Sequence, residues 1–216
     1  AWIKMQIRSE EAVILALPYP SEKRLNEILP GEEESETQRA YSEKVGEIFA
    51  ALSEHFQEDT VNLAVSHIYV NGGLESDSER RIQLGGSLAV DAYMLPAAQY
   101  TALGHLHRPQ KVNGTAGPCC YSGSPIQYSK SEMGYSKAVF MIDVKAGEQA
   151  FVEEVYLRNY KPIEVWKCDG IDAALEKCRQ EQDSLSWVYM DISTDRVLTQ
   201  AEIKEIKSLR QDIVQI

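Results

Sequence analysis

Histidine is scarce in this chain of 216 residues, with four copies, and cysteine is no commoner. The four cysteines, Cys119, Cys120, Cys168 and Cys178, form no Cys-x-x-Cys pair, so neither a cysteine metal knuckle nor a disulfide framework is indicated. They read as plain thiols of a cytoplasmic protein. Long apolar runs are missing too: the longest are about six residues, against the roughly 20 that span a bilayer, so no membrane is expected as a partner. The opening Ala1-Trp2-Ile3-Lys4-Met5-Gln6-Ile7 lacks the basic head and apolar core of a signal peptide. It begins on Ala rather than Met, already in strand-like alternation, and reads as part of a longer protein.

Positive charge is in deficit. Lys and Arg number 22 against 33 Asp and Glu, a net of −11 at pH 7, which at first sight argues against nucleic acid. The deficit is local. Residues 1–60 hold most of the net negative charge, whereas 102–140 carry Arg108, Lys111, Lys130 and Lys137 against Glu132. Charge permits a phosphate substrate without demanding one.

What is present is a clear grammar of strands and helices. Glu11 to Leu17 reads as a strand ended by Pro18-Tyr19-Pro20. A helix is expected from Glu33 to Gln57, because Tyr41, Val45, Ile48, Phe49, Leu52 and Phe56 recur at steps of three and four. Glu32, Glu33, Glu34 and Glu36 sit in its first turns, where the helix dipole favours negative charge, and His55 near the other end reads as a surface residue. A strand at 61–66, a polar surface loop at 75–81 and apolar runs at 88–94 and 97–103 follow. Then come strands at Cys119 to Ser122, Ser136 to Val144 and Ala150 to Tyr156.

Beyond Tyr160-Lys161-Pro162 the pattern becomes β-α-β-α-β. Its pieces are a strand at 163–168, a helix at 172–180, a strand at 187–192, a helix running to Arg210 and a last strand from Ile213. Thr199-Gln200-Ala201-Glu202 is a capping box that opens the second of these helices. The expected fold is α/β in two parts: a layered domain over 1–160 with sheets packed face to face, and a small subdomain over 161–216.

Three of the four histidines fall in two glycine-flanked turns. Leu63-Ala64-Val65 leads into Ser66-His67, with Asn71-Gly72-Gly73 after it. Tyr100-Thr101-Ala102-Leu103 leads into Gly104-His105-Leu106-His107-Arg108-Pro109. Imidazoles released at strand ends are a common source of metal ligands. In an extended segment His105 and His107 point to the same side, to serve one ion or one each of two ions about 3.5–4 Å apart. Gly104 allows close backbone approach, Pro109 stiffens the exit, and Arg108 is placed to meet a phosphate oxygen. Taken singly, each histidine equally describes a hydrogen-bonded core residue. Tyr121-Ser122-Gly123-Ser124-Pro125 offers the hydroxyls of Ser122 and Ser124 to an anionic substrate, or is ordinary turn chemistry.

In this order the pieces resemble one family. Ala16-Leu17-Pro18-Tyr19-Pro20-Ser21, Ser66-His67-Ile68-Tyr69-Val70-Asn71-Gly72-Gly73, Leu84-Gly85-Gly86-Ser87-Leu88-Ala89-Val90-Asp91, Ala102-Leu103-Gly104-His105-Leu106-His107-Arg108-Pro109-Gln110 and Tyr121-Ser122-Gly123-Ser124-Pro125 are similar to the bacterial SbcD nuclease subunits. Those belong to the calcineurin-like metallophosphoesterases. The resemblance covers nearly the whole chain. It implies a metallophosphoesterase sandwich of two sheets flanked by helices, followed by a DNA-capping subdomain. It further implies two divalent ions, typically Mn2+ with Mg2+ as the substitute, and hydrolysis of DNA phosphodiesters in repair and recombination. By the same resemblance His67 and His105 bind one ion and His107 the other. An SbcC-like ATPase of the SMC family is the implied partner, together with DNA and a second copy of the subunit.

The resemblance leaves a gap. The family's other ligands come from Asp-x-His, Gly-Asp and Gly-Asn-His-Asp motifs, and no Asp-x-His, Gly-Asp or Asn-His occurs here. A bridging carboxylate and the histidine that protonates the leaving group are therefore expected outside this sequence. Without the carboxylate two neighbouring divalent ions repel strongly, so the chain by itself is expected to be inactive and to bind metal weakly. Two other readings stay open: a metallophosphoesterase of small nucleotides or phosphodiesters, and a non-catalytic DNA- or partner-binding module.

Overall fold

Side-chain alternation sets the register of the first sheet. β1 (Trp2–Ile7) pairs antiparallel with β2 (Glu10–Leu17), β2 runs parallel to β3 (Val61–His67), and β3 runs parallel to β4 (Tyr100–Gly104). β5 (Gln110–Lys111) and β6 (Cys119–Tyr121) complete the order β1-β2-β3-β4-β6-β5, with β6 parallel to β4 and antiparallel to β5. Four adjacent strands, β2, β3, β4 and β6, thus run the same way. Their carboxyl ends share one rim, where ligand sites of parallel sheets gather.

The computed structural model describes residues 1–21, 25, 34–77 and 88–216. The expected helix start at Glu33, part of the 75–81 loop and Leu84 to Ser87 lie outside the described residues. α1 (Glu34–Ser53) lays Tyr41, Val45 and Phe49 on one face of the sheet, in a core shared with Leu17, Ile68, Val70, Leu103 and Tyr121. It stops at Ser53, short of the expected Gln57. His55 lies beyond it and stacks on Trp2, with ring centroids 4.1 Å apart.

On the other face, β7 (Ala138–Asp143) and β8 (Phe151–Tyr156) form an antiparallel pair. Phe140, Ile142 and Val152 pack there with Tyr100, Cys120 and Ala150. Among the described residues no helix is long and apolar enough to cross a membrane.

The chain divides into two compact units, Ala1–Pro125 with Lys137–Leu157, and Ile126–Ser136 with Arg158–Ile216. The expected single boundary after Tyr160 thus meets a chain that also lends the stretch 126–136 to the second unit. Gln127 accounts for the loan: its Oε1 accepts from Ile163 N at 2.9 Å and from Asn159 Nδ2 at 3.0 Å, tying the stretch to the start of β9 (Ile163–Asp169).

The second unit repeats β-α-β-α-β as read: β9, α2 (Ile171–Gln180), β10 (Trp187–Ser193), α3 (Gln200–Leu209) and β11 (Ile213–Gln215). The strands are parallel in the order β11-β10-β9. Trp166, Cys168, Leu175, Cys178, Val188, Met190 and Ile206 form its core. The capping box exists, with Glu202 N donating to Thr199 Oγ1 at 3.3 Å and Thr199 N to Glu202 Oε2 at 2.8 Å. The guanidinium of buried Arg210 donates to the carbonyls of Ser184 at 2.8 Å and Ser186 at 3.0 Å, closing the loop before β10.

Candidate functional site

Each of the parallel strands delivers a turn to the shared rim. β2 releases Pro18-Tyr19-Pro20, β3 ends on His67, β4 ends on Gly104 before His105, and β6 ends on Tyr121 before the Ser122-Gly123-Ser124 turn. His67 and Gly104 face each other in the β3–β4 register. A Cβ at residue 104 would stand 2.9 Å from His67 Nδ1, so glycine is what lets the His67 ring lie against the next strand. The His67 and His105 rings meet edge to face with centroids 5.4 Å apart. The His67 pKa is lowered, first by partial burial and then by His107, which biases His67 toward the neutral, lone-pair-bearing form.

The structure thus brings His67, His105 and His107 together. It does so with a conformation that residue spacing does not foretell. His105 has φ of 115°, rare for a residue with a side chain, so the Gly104–His107 segment is a strained turn and not the plain extended run expected. Leu106, 1% exposed, plugs the core from inside this turn while the two histidines flanking it remain partly open. Two tyrosines frame His105: Tyr19 lies parallel to its ring at 6.4 Å and Tyr69 is tilted against it at 6.3 Å. Nothing in local periodicity marks them. The clue the sequence does hold is that both lie in stretches that carry the family resemblance, Tyr19 in 16–21 and Tyr69 in 66–73.

The remaining expected site residues take different places. Arg108 is exposed at the turn and Ser122 is half-buried. Ser124 is 6% exposed, and its Oγ lies 2.7 Å from Lys137 Nζ and 3.5 Å from the His107 carbonyl oxygen. The structure uses Ser124 inside the fold, as a brace behind the histidine turn. Tyr121, fully buried, is the motif's other structural member. Its hydroxyl donates to Ile68 O and accepts from Val70 N, both at 2.9 Å, which pins the backbone that follows His67.

Among the described residues, no group of three or more His, Cys, Asp or Glu side chains is gathered so as to hold an ion. The three imidazoles share a rim without closing around one point. They do not by themselves fit a two-ion centre.

No family model matches the sequence. The chain is 41% identical over 212 residues to the D subunit of the SbcCD nuclease of Bacillus subtilis (strain 168), a match that takes in 97% of this chain and 54% of that protein. It is 31% identical over 186 residues to the corresponding D subunit of Escherichia coli (strain K12), covering 79% of this chain and 46% of that protein. A third D subunit, from Rhodobacter capsulatus, is 37% identical over 154 residues, 66% of this chain and 35% of that protein. The chain spans about half, or less, of the length of these relatives.

Proposed function

Since the chain belongs with the D subunits of SbcCD nucleases along 97% of its length, we propose that it supplies one wall of the active site of a metal-dependent DNA nuclease. The observation that carries this reading is the meeting of the His67 and His105 rings at the carboxyl rim of the parallel strands, with His107 following in the same turn as His105. The rest of the ligand set, a bridging carboxylate above all, comes from protein outside this sequence. An apolar strip supports that division. Ile3, Met5, Ile7 and Val65 share one face of the first sheet and are 56%, 42%, 52% and 46% exposed, a surface that a further layer of a metallophosphoesterase sandwich would cover.

In this reading His67 and His105 hold one divalent ion and His107 a second, Mn2+ or Mg2+. Such ions neutralise charge on a phosphate and lower the pKa of water. The chain's own residues do the positioning. Tyr19 and Tyr69 restrict the His105 ring, burial lowers the His67 pKa, and exposed Arg108 meets a phosphate oxygen of the DNA. By the same kinship the partners are DNA and an SbcC-type ATPase of the SMC family, the subunit pairs with a second copy through elements outside this sequence, the place of action is the cytoplasm, and the second unit caps the DNA.

The test compares this chain alone with a Bacillus subtilis D subunit that carries it in place of the matching segment. Titrated with Mn2+, the 216 residues alone are expected to show no pair of tight sites and no cleavage of DNA. The full-length chimera is expected to cleave DNA with Mn2+ and to lose cleavage in His105→Ala and in His107→Ala. Two tight sites on the isolated chain, or a folded chimera in which both substitutions are silent, would overturn the proposal. Removing residues 162–216 from the chimera is expected to impair DNA cleavage while a small phosphodiester is still hydrolysed. Equal loss of both would speak against a DNA-directed role for the second unit.

A further inference from the structure

Lys137 is 2% exposed, just before β7, and its ammonium reaches the back of the histidine turn. Nζ donates to the His107 carbonyl oxygen at 3.1 Å and to Ser124 Oγ at 2.7 Å. The same carbonyl accepts from Ser124 N at 3.1 Å. Two turns are therefore bolted together through one oxygen atom. Gly123 shows how tightly: a Cβ there would stand 2.5 Å from His107 O and 2.9 Å from Pro109 Cδ. The Lys137 backbone is itself fixed, since Leu157 N donates to its carbonyl at 2.8 Å.

A buried ammonium is unfavourable unless its donors are matched, and here one of its bonds goes to Ser124 and another to the back of the histidine turn. That turn contains His105 at φ 115°. A non-glycine residue keeps such a conformation where the surroundings over-determine it. The carbonyl of His107, two residues on, is the atom on which those surroundings converge.

We propose that Lys137 is a positioning residue: it clamps the His107 carbonyl, through both its own ammonium and Ser124, and so holds His105 and His107 in the strained turn that aims their imidazoles at the rim. It does not touch substrate. Its bearing on catalysis rests on the proposed nuclease reading; its bearing on the turn does not.

The experiment has two arms. In the 216-residue chain, Lys137→Met is expected to shift or split the amide and imidazole NMR resonances of His105 and His107, while those of Val45 and Phe49 stay in place. Lys137→Arg is expected to restore a single set close to wild type. Should Lys137→Met fail to fold, Ser124→Ala removes the hydroxyl link and is expected to move the same resonances by less. Unchanged His105 and His107 resonances in a folded Lys137→Met or Ser124→Ala variant would overturn the clamp. In the full-length chimera, Lys137→Met is expected to lower kcat for Mn2+-dependent cleavage by about 100-fold with KM little changed, the size of effect that follows from misplaced catalytic groups. Moved resonances with kcat unchanged would overturn the catalytic bearing and leave the clamp standing. A wild-type chimera without nuclease activity would count against the nuclease reading alone.

Discussion

Tyr121 shows how much one side chain carries at this rim. Its hydroxyl satisfies both Ile68 O and Val70 N in a fully buried setting. Replacing it with Phe keeps the ring and strands a buried donor and a buried acceptor. Tyr121→Phe is expected to destabilise the chain by about 1–3 kcal/mol, read from the shift of the urea midpoint, with most of the amide exchange gained at 68–71. A variant as stable as wild type would mean that water or a neighbour replaces the hydroxyl. Legibility at this scale is uneven. His67, His105 and His107 stand out as candidates because scarce imidazoles in turns that carry glycines are distinctive in the sequence itself. Lys137 could not, since burying an ammonium is a property of what surrounds it. Ser124 was legible as a turn residue and not as a brace, because the partner atoms lie on other turns.

The secondary-structure elements were easier to foresee, and α3 is the clearest case. Its capping box needs four consecutive residues and no tertiary partner. Glu202 also pairs with Arg196 at 2.6 Å. The Arg196 guanidinium, followed by the Thr199 backbone and hydroxyl, holds the Glu202 carboxyl down to about 2, below the usual carboxylate range. A folded-state pKa below the unfolded value means the charged carboxylate stabilises the fold above about pH 4, and that this contribution fades as pH falls toward 2. Wild type is therefore expected to exceed Glu202→Gln in stability at pH 7 and pH 5, with the difference closing near pH 2. Urea melts followed by circular dichroism would check this, and a gap that stays constant with pH would show that the carboxylate charge is irrelevant. Where element boundaries moved, the reasons are local. The periodic stripe of α1 runs on to Phe56, which still packs against the core near Leu52 after the helix has ended at Ser53. Periodicity marks a buried face and not the residue at which the helix stops.

At the scale of the whole molecule, the two units each bury a pair of thiols: Cys119 and Cys120 in the first, Cys168 and Cys178 in the second. Burial pushes all four thiols up, Cys119 to about 12. Both access and thiolate formation are then suppressed. With a disulfide-forming thiol reagent at pH 8, the native chain is expected to show no fast-reacting cysteine, and all four should react after denaturation. A thiol that reacts promptly in the native chain would show that its unit opens readily. Tyr160-Lys161-Pro162 announced a change of grammar, whereas the stretch 126–136 carries no periodic signal. It joins the second unit through Gln127, whose partners Asn159 and Ile163 are 32 and 36 residues away.

The sequence by itself determined the α/β elements, the placing of the histidine turns at strand ends, the capping box and the kinship with nuclease subunits. All but the kinship, which is spread along the chain, depend on neighbours a few residues apart. Tertiary structure alone decided that the carboxyl ends of β2, β3, β4 and β6 share one rim, that His105 takes a strained φ, and that Tyr121, Ser124 and Lys137 hold the turns from behind. Parallel strands are joined by long crossovers, so the residues that meet at their ends are far apart in sequence. Tyr121 lies 53 residues from Ile68 and Lys137 lies 30 from His107. Local pattern names such residues without saying which of them will touch.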